Sequence, residues 1–215
     1  PSIDHRFLRS KLRKRVSDSE LISLTDQILR SGDSIPKPSQ QNSWFPGDDL
    51  FAALRPCGLP IGNLTSQFFA NLYLDSVDHF IKEELRVPGN VRYADDLLLF
   101  GDSKQQLWEV RDRVVNHLAS LRLRLHEHKT IICRSERGLN YLGFRVWPDT
   151  RRASQRAIRR LNQKSGYWMY AYRERLIGTD EIKASLAAML AHLDHCNSHG
   201  IRTEVLKKLK LRRRN

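Results

Sequence analysis

Val91-Arg92-Tyr93-Ala94-Asp95-Asp96-Leu97-Leu98-Leu99-Phe100 decides how the rest of the chain is read. Residues 91–93 and 97–100 are two short apolar-rich runs around a tight turn, the pattern of a β-hairpin. The turn carries two adjacent carboxylates, Asp95 and Asp96. Burying them would be costly unless they were paired or bound to metal. At a hairpin turn they project into a cleft while the apolar flanks anchor the strands. Hard oxygen ligands of this kind suit Mg²⁺, which keeps its waters and takes substrate phosphates, with Mn²⁺ as a substitute. Two ions about 4 Å apart would activate a 3′-hydroxyl and steady a departing pyrophosphate. The plain alternative is an acidic surface turn, which a bare Asp-Asp pair does not exclude.

Working outward from the hairpin, helical periodicity dominates. Residues 64–85 read as a long helix with Phe69, Leu72, Tyr73, Ser76, Val77 and Phe80 on one face. Leu107, Val110, Val114, Leu118 and Leu121 mark another core-facing helix. Upstream, residues 6–16 alternate basic and apolar side chains at helical spacing. Ser17 then opens a second helix, with Glu20 three residues later as in a capping box. Leu21, Leu24, Ile28 and Leu29 form its apolar stripe, and Gly32 ends it. Pro36, Pro38, Pro46 and Pro56 make residues 33–57 a loop. Downstream, residues 131–133 and 141–146 are further strand candidates. Beyond Pro148 the pattern is helical, with Thr179 and Thr203 as caps. The order is α/β first and a small helical module second, with the boundary near Asp149.

The charge balance is strongly basic, 37 Lys and Arg against 24 Asp and Glu, a net of +13. From Arg151 to Asn215 there are 16 basic and 5 acidic residues, so that stretch alone carries 16 − 5 = +11. A basic module of this kind points to a polyanionic partner, nucleic acid in the usual case; a solvated basic surface is the alternative. No apolar run approaches the length of a membrane span. Three scattered cysteines, Cys57, Cys133 and Cys196, argue against a disulfide framework and fit a reducing cytoplasm.

Tyr93-Ala94-Asp95-Asp96, with four further segments in order, resembles the reverse transcriptase family. Ser2-Ile3-Asp4-His5 resembles the tail of that family's first palm motif. Gly58-Leu59-Pro60-Ile61-Gly62-Asn63-Leu64-Thr65-Ser66-Gln67, running into Ala70-Asn71-Leu72-Tyr73-Leu74, resembles the loop and helix beneath template and incoming nucleotide. The segment 123–130, ending in Lys129-Thr130, resembles the one whose lysine lies near the triphosphate. Tyr141-Leu142-Gly143-Phe144 resembles the primer grip. Five motifs in order are far more specific than any one.

The resemblance implies an α/β polymerase palm with a central antiparallel catalytic hairpin over residues 1–149. A basic α-helical thumb follows over residues 150–215. It implies an RNA-directed DNA polymerase that needs Mg²⁺ and deoxynucleoside triphosphates, a template RNA and a primer, and that makes cDNA. Asp95 and Asp96 would hold the ions, and Tyr93 would orient the hairpin. Pro60, Ile61, Gly62, Asn63, Ser66 and Gln67 would shape the pocket for template and nucleotide. Lys129 would lie near the pyrophosphate as general acid or plain charge. Gly143 would let backbone approach the primer, with Phe144 packed beneath. A strand with a glycine bulge is the bland reading of that pair.

Within the family, Ile61-Gly62-Asn63-Leu64-Thr65-Ser66-Gln67 most resembles the signature of diversity-generating retroelement enzymes. Their partner set implies a small basic accessory protein. Group II intron enzymes usually carry Gln where Ile61 stands and Pro where Gln67 stands. An aliphatic Ile61 cannot hydrogen-bond near the nucleotide, which weakens discrimination by about 1 kcal/mol. The family's first metal-binding Asp and its fingers would precede Pro1, and Asp4 occupies a different place in the motif. The 215-residue chain by itself is therefore expected not to polymerise. The rivals are a group II intron or other bacterial reverse transcriptase, and a catalytically silent nucleic-acid-binding protein on the same fold.

Two further clusters lie in the basic stretch. His192, His195, Cys196 and His199 would share one face of a helix running to about residue 197. They read as the polar end of a thumb helix rather than as a zinc site. Tyr167, Trp168, Tyr170 and Tyr172 read as mostly thumb core, with Arg and Lys contacting phosphates.

Overall fold

The computed structural model describes residues 3–31, 44–45, 47–49, 51–52, 55–60 and 62–211. Gly32, Pro36, Pro38, Pro46 and Ile61 lie outside the described residues. The chain forms two compact units, Pro1–Ile132 and Cys133–Asn215.

The first unit is built around helices. Helix α1, His5–Arg13, starts where the Asp4 carboxylate accepts from the amides of Arg6 and Phe7 at 2.9 and 3.2 Å. Leu8 and Leu12, one turn apart, bury its apolar face. Helix α2, Ser19–Ser31, is capped by Asp18, which accepts from the amides of Glu20 and Leu21. The expected cap was Ser17, one residue too early. The buried stripe also differs from expectation: Ile22, Thr25 and Leu29 face inward, and Leu21 and Leu24 are exposed. Two stripes one residue out of phase compete on this helix. Thr25 does not decide against the inner one, because its hydroxyl is satisfied by the Leu21 carbonyl at 2.9 Å.

Helix α3, Leu64–His79, continues into a π-helical turn at Phe80–Glu84, close to the expected span. Phe69, Leu72, Tyr73 and Val77 are buried on its anticipated face. Strands β1, Gly89–Tyr93, and β2, Asp96–Phe100, pair antiparallel with Tyr93 opposite Asp96. Among the described residues this sheet has two strands only. Helix α4, Lys104–Ser120, begins at Ser103, whose hydroxyl accepts from the Gln106 amide. Val114, Leu118 and Leu121 complete the core against α1 and α3, and the Tyr73 hydroxyl donates to the Leu121 carbonyl at 2.6 Å. Residues 131–133, read as a strand candidate, form no strand. Ile131 is 66% exposed, and no neighbouring strand among the described residues offers it a ladder.

The second unit opens with a three-stranded antiparallel sheet: β3, Leu139–Tyr141; β4, Phe144–Val146; β5, Arg151–Ala153. The expected single strand over 141–146 is two strands. Leu142 and Gly143 have φ of 48° and 85°, the left-handed pair of a two-residue hairpin turn, so the glycine marks a reversal and not a bulge. β5 likewise interrupts the region expected to be all helical. These strands fold with the helices that follow, whereas the sequence reading groups residues through 149 with the chain before them.

Helices α5, Gln155–Arg173, α6, Thr179–Leu193, and α7, His199–Lys208, complete this unit around Ala153, Leu161, Leu193 and Val205. α6 follows Gly178, so Thr179 lies inside it instead of capping it. Thr203 lies within α7 and donates to the His199 carbonyl one turn back, which removes it as a cap. Of the four aromatics expected in the core, Trp168 is 3% exposed, whereas Tyr167 and Tyr170 face solvent. α6 stops at Leu193, so His195 and Cys196 leave the helix and the four zinc-capable side chains do not share one helical face.

Candidate active site

The hairpin tip is tied to α3 by one side chain. Arg92 stands on the inward face of β1, opposite Leu97, whose side chain packs against the core. Its Nε donates to both oxygens of Asp78 at 2.8 and 3.0 Å, and Nη2 donates to Asp78 Oδ2 at 2.5 Å. Nη1 reaches the Asn71 side-chain oxygen at 2.9 Å and the Ala94 carbonyl at 3.0 Å. Bidentate pairing to Asp78 is the geometry guanidinium suits best. The hydrogen bond to Asp78 holds the Arg92 pKa above its ordinary value. Ala94 takes a positive φ of 52°, which folds the turn tightly and leaves Asp95 and Asp96 both exposed at its tip. Tyr93 is exposed on the outward face, cross-strand from Asp96, and it is Arg92 that carries the tie to α3.

Asn71 and Asp78 are seven residues apart on α3, so both face the hairpin. Gln67 lies one turn before Asn71, and Asn63 one turn before Gln67. These three polar side chains make a stripe from the loop at 58–63 to the hairpin tip. The loop is anchored at both ends. The Gly58 amide donates to the Ile3 carbonyl at 2.7 Å, His5 pairs through its amide with Pro56 and through its ring with Gly58, and Asp4 bridges Cys57. At the other end Ser66 donates from its hydroxyl to the Pro60 carbonyl at 2.5 Å. Pro60 is buried, Gly62 has a φ of 90°, and Asn63 and Gln67 are exposed.

Beneath this surface lies a buried ionic cluster. Arg55 approaches Asp4 at 3.3 Å and Asp48 at 3.2 Å, and Arg122 approaches Asp48 at 2.8 Å. Asp4 is thus a structural anion and helix cap. Tyr73, buried close by, has its phenol pKa pushed well above the ordinary range, chiefly by desolvation.

Of the remaining predicted residues, Lys129 lies in the first unit and Gly143 and Phe144 in the second. Lys129 ends a short 3₁₀ turn at Glu127–Lys129 and is exposed. Gly143 sits in the β3–β4 turn of the second unit, its carbonyl accepting from the Ser154 amide. Phe144 stacks on His192 with ring centroids 4.7 Å apart, so that histidine serves as a packing partner. Sequence reasoning missed Arg92 and Asp78. The signal was present: a lone arginine in an apolar strand, and an Asn and an Asp two turns apart on the neighbouring helix.

Two adjacent exposed carboxylates on a braced hairpin, beside a polar helix face, define a site suited to divalent cations and polyphosphate. The donors are all oxygen, which fits Mg²⁺. Among the described residues no group of three or more His, Cys, Asp or Glu converges to hold a metal by itself. The family model for reverse transcriptase (RNA-dependent DNA polymerase) matches residues 3–146, and the chain belongs to that family. Membership brings binding of template, primer and deoxynucleoside triphosphate. None of the curated proteins matches the chain. No helix among the described residues is long and apolar enough to cross a membrane.

Proposed function

We propose that this chain supplies the catalytic hairpin of an RNA-directed DNA polymerase, with Asp95 and Asp96 as the carboxylates that hold two Mg²⁺ ions during nucleotidyl transfer. The exposed Asp95–Asp96 pair on a tip clamped through Arg92 to α3 carries this reading. Bound there, the ions would lower the pKa of a primer 3′-hydroxyl and neutralise charge on the leaving pyrophosphate. The chain's own part is positional. Arg92 fixes the turn, α3 presents Asn63 and Gln67 toward template and nucleotide, and Ser66 fastens the Pro60 loop. Lys129 offers a cation to the triphosphate, and the Gly143 turn with Phe144 lies against the primer.

The reading extends to a diversity-generating retroelement enzyme, supported by the 61–67 sequence, with RNA template, cDNA product and a small basic accessory protein as its partners. In a polymerase-active form of the protein, Asp95→Asn abolishes primer extension. In the 215-residue chain, the Asp95→Asn/Asp96→Asn pair removes Mn²⁺ binding seen by electron paramagnetic resonance. Retention of both signals would defeat the assignment. For the subtype, Ile61→Gln should reduce misincorporation by about fivefold, the ratio for about 1 kcal/mol. An unchanged error spectrum removes the role given to Ile61.

A further inference from the structure

We propose that His5 is a positioning residue for nucleotide binding: its ring clamps the carbonyl of Gly58 and so sets the loop that leads into α3. The proposal deepens the polymerase reading, and rests on it for the claim that this loop underlies the nucleotide.

Residues 3–5 and 56–58 form a short antiparallel pairing. The Gly58 amide donates to the Ile3 carbonyl at 2.7 Å, the His5 amide donates to the Pro56 carbonyl at 3.1 Å, and Asp4 and Cys57 face each other between these two bonds. The ladder stops there. Gly58 takes a φ of 106°, a conformation open to glycine and costly for a residue with a side chain. Gly58 is buried, so its carbonyl has little access to water, and no backbone amide among the described residues donates to it. A buried acceptor needs a partner, and His5 provides one through Nε2 at 2.8 Å. A carbonyl only accepts, so Nε2 carries the proton; the neutral Nε2–H ring and the imidazolium both donate. The neighbouring side chains are otherwise engaged. The Asp4 carboxylate accepts from the Arg6 and Phe7 amides and pairs with Arg55, and Ile3 packs against the core.

Two side-chain clamps therefore bracket Leu59: His5 on the Gly58 carbonyl and Ser66 on the Pro60 carbonyl. They differ in reach. Ser66 ties the loop to the helix it leads into, six residues on. His5 ties it to the start of α1, across 53 residues, and so fixes where the loop stands against the rest of the first unit. The exposed Asn63 and Gln67, which face template and nucleotide in the proposed function, follow directly. With the Gly58 carbonyl released, the loop is free to rotate at a glycine, and the groups that hold the nucleotide shift. The hairpin bearing Asp95 and Asp96 has its own brace in Arg92 and stays in place. Loss of the clamp therefore weakens binding of the nucleotide more than it slows the chemical step.

The test is steady-state primer extension by a polymerase-active form of the protein. His5→Leu leaves the Gly58 carbonyl without its donor; it should raise KM for the deoxynucleoside triphosphate about tenfold and change kcat by less than about threefold. His5→Gln keeps a side-chain N–H for the same carbonyl and should bring KM back to within about threefold of the unmodified enzyme. A purely structural role gives another pattern, fewer active molecules and hence a lower kcat at unchanged KM. That pattern overturns the proposal, and so does an equal KM for the Leu and Gln variants. Asp95→Asn is the separate arm: if it leaves extension intact, the polymerase reading itself fails, whatever His5 does. Should His5→Leu not fold, nitrogen-15 NMR of the unmodified 215-residue chain decides. The neutral His5 ring must carry its proton on Nε2; a proton on Nδ1 alone leaves nothing to donate to Gly58 and overturns the clamp.

Discussion

Arg92 occupies an inward position of β1, opposite Leu97, where a guanidinium sits in place of an apolar side chain. Its removal would leave Asp78 with a charge and no partner, on a helix face only partly open to water. Arg92→Met should therefore destabilise the fold by about 2 kcal/mol, in the range for a broken, partly solvated charge pair. Urea unfolding measures this directly. The same substitution frees the Ala94 carbonyl, so the turn that presents Asp95 and Asp96 loosens and Mn²⁺ retention falls with it. Arg92→Lys should rescue little, because a single ammonium cannot span Asp78, Asn71 and Ala94 together. If Lys restored both stability and ion binding, the bracing role assigned to the guanidinium would be wrong and simple charge would suffice.

At the scale of elements, the turn at Leu142-Gly143 carries the most sharply defined strain. Both residues have positive φ, a conformation β-carbon atoms resist. Gly143→Ala should cost about 1–2 kcal/mol from the left-handed φ alone, its Cβ making only ordinary contact with the His192 ring at 3.4 Å. Leu142→Asn should gain about 0.5 kcal/mol, asparagine being at home in the first position of such a turn. Thermal unfolding of the two variants should move in opposite directions; equal loss from both would mean that side-chain packing, not backbone strain, governs the turn. This turn also shows what a sequence conveys. The hairpin at 89–100 was legible because its apolar strands flank acids that cannot be buried. Helix α3 was legible because Phe69, Leu72, Tyr73 and Val77 repeat at its period. The 141–146 segment was misread because glycine marks a bulge and a reversal equally well, and only the φ of the preceding leucine separates them. α2 was misphased because its two apolar stripes differ by one residue, and packing against α1 chooses between them. Arg92 stands out as a lone arginine in an apolar strand, but its partners lie 14 and 21 residues away, so the local pattern does not say what it pairs with.

Across the whole molecule, stability is distributed unequally. The first unit buries a contiguous cluster that runs from Leu8 through Tyr73 and Ile81 to Leu121. The second buries a smaller one, Ala153, Leu161, Leu193 and Val205, within the stretch of chain, residues 151–215, that carries +11 of the net +13. Apolar area removed from water is the main favourable contribution to folding, and self-repulsion of like charges opposes it. The second unit should therefore unfold at lower urea than the first. Tryptophan emission reports on this selectively. Trp168, in α5, is the one tryptophan of the four that is buried; Trp44 and Trp108 are 47% and 48% exposed, and their emission changes little on unfolding. The fluorescence midpoint should accordingly precede loss of amide protection in α3, measured by hydrogen exchange at the same urea concentrations. Added salt should narrow the gap by screening the +11 carried by residues 151–215. Coincident midpoints at all salt concentrations would mean that the two units unfold as one cooperative body, and that the charge of the second unit does not limit its stability.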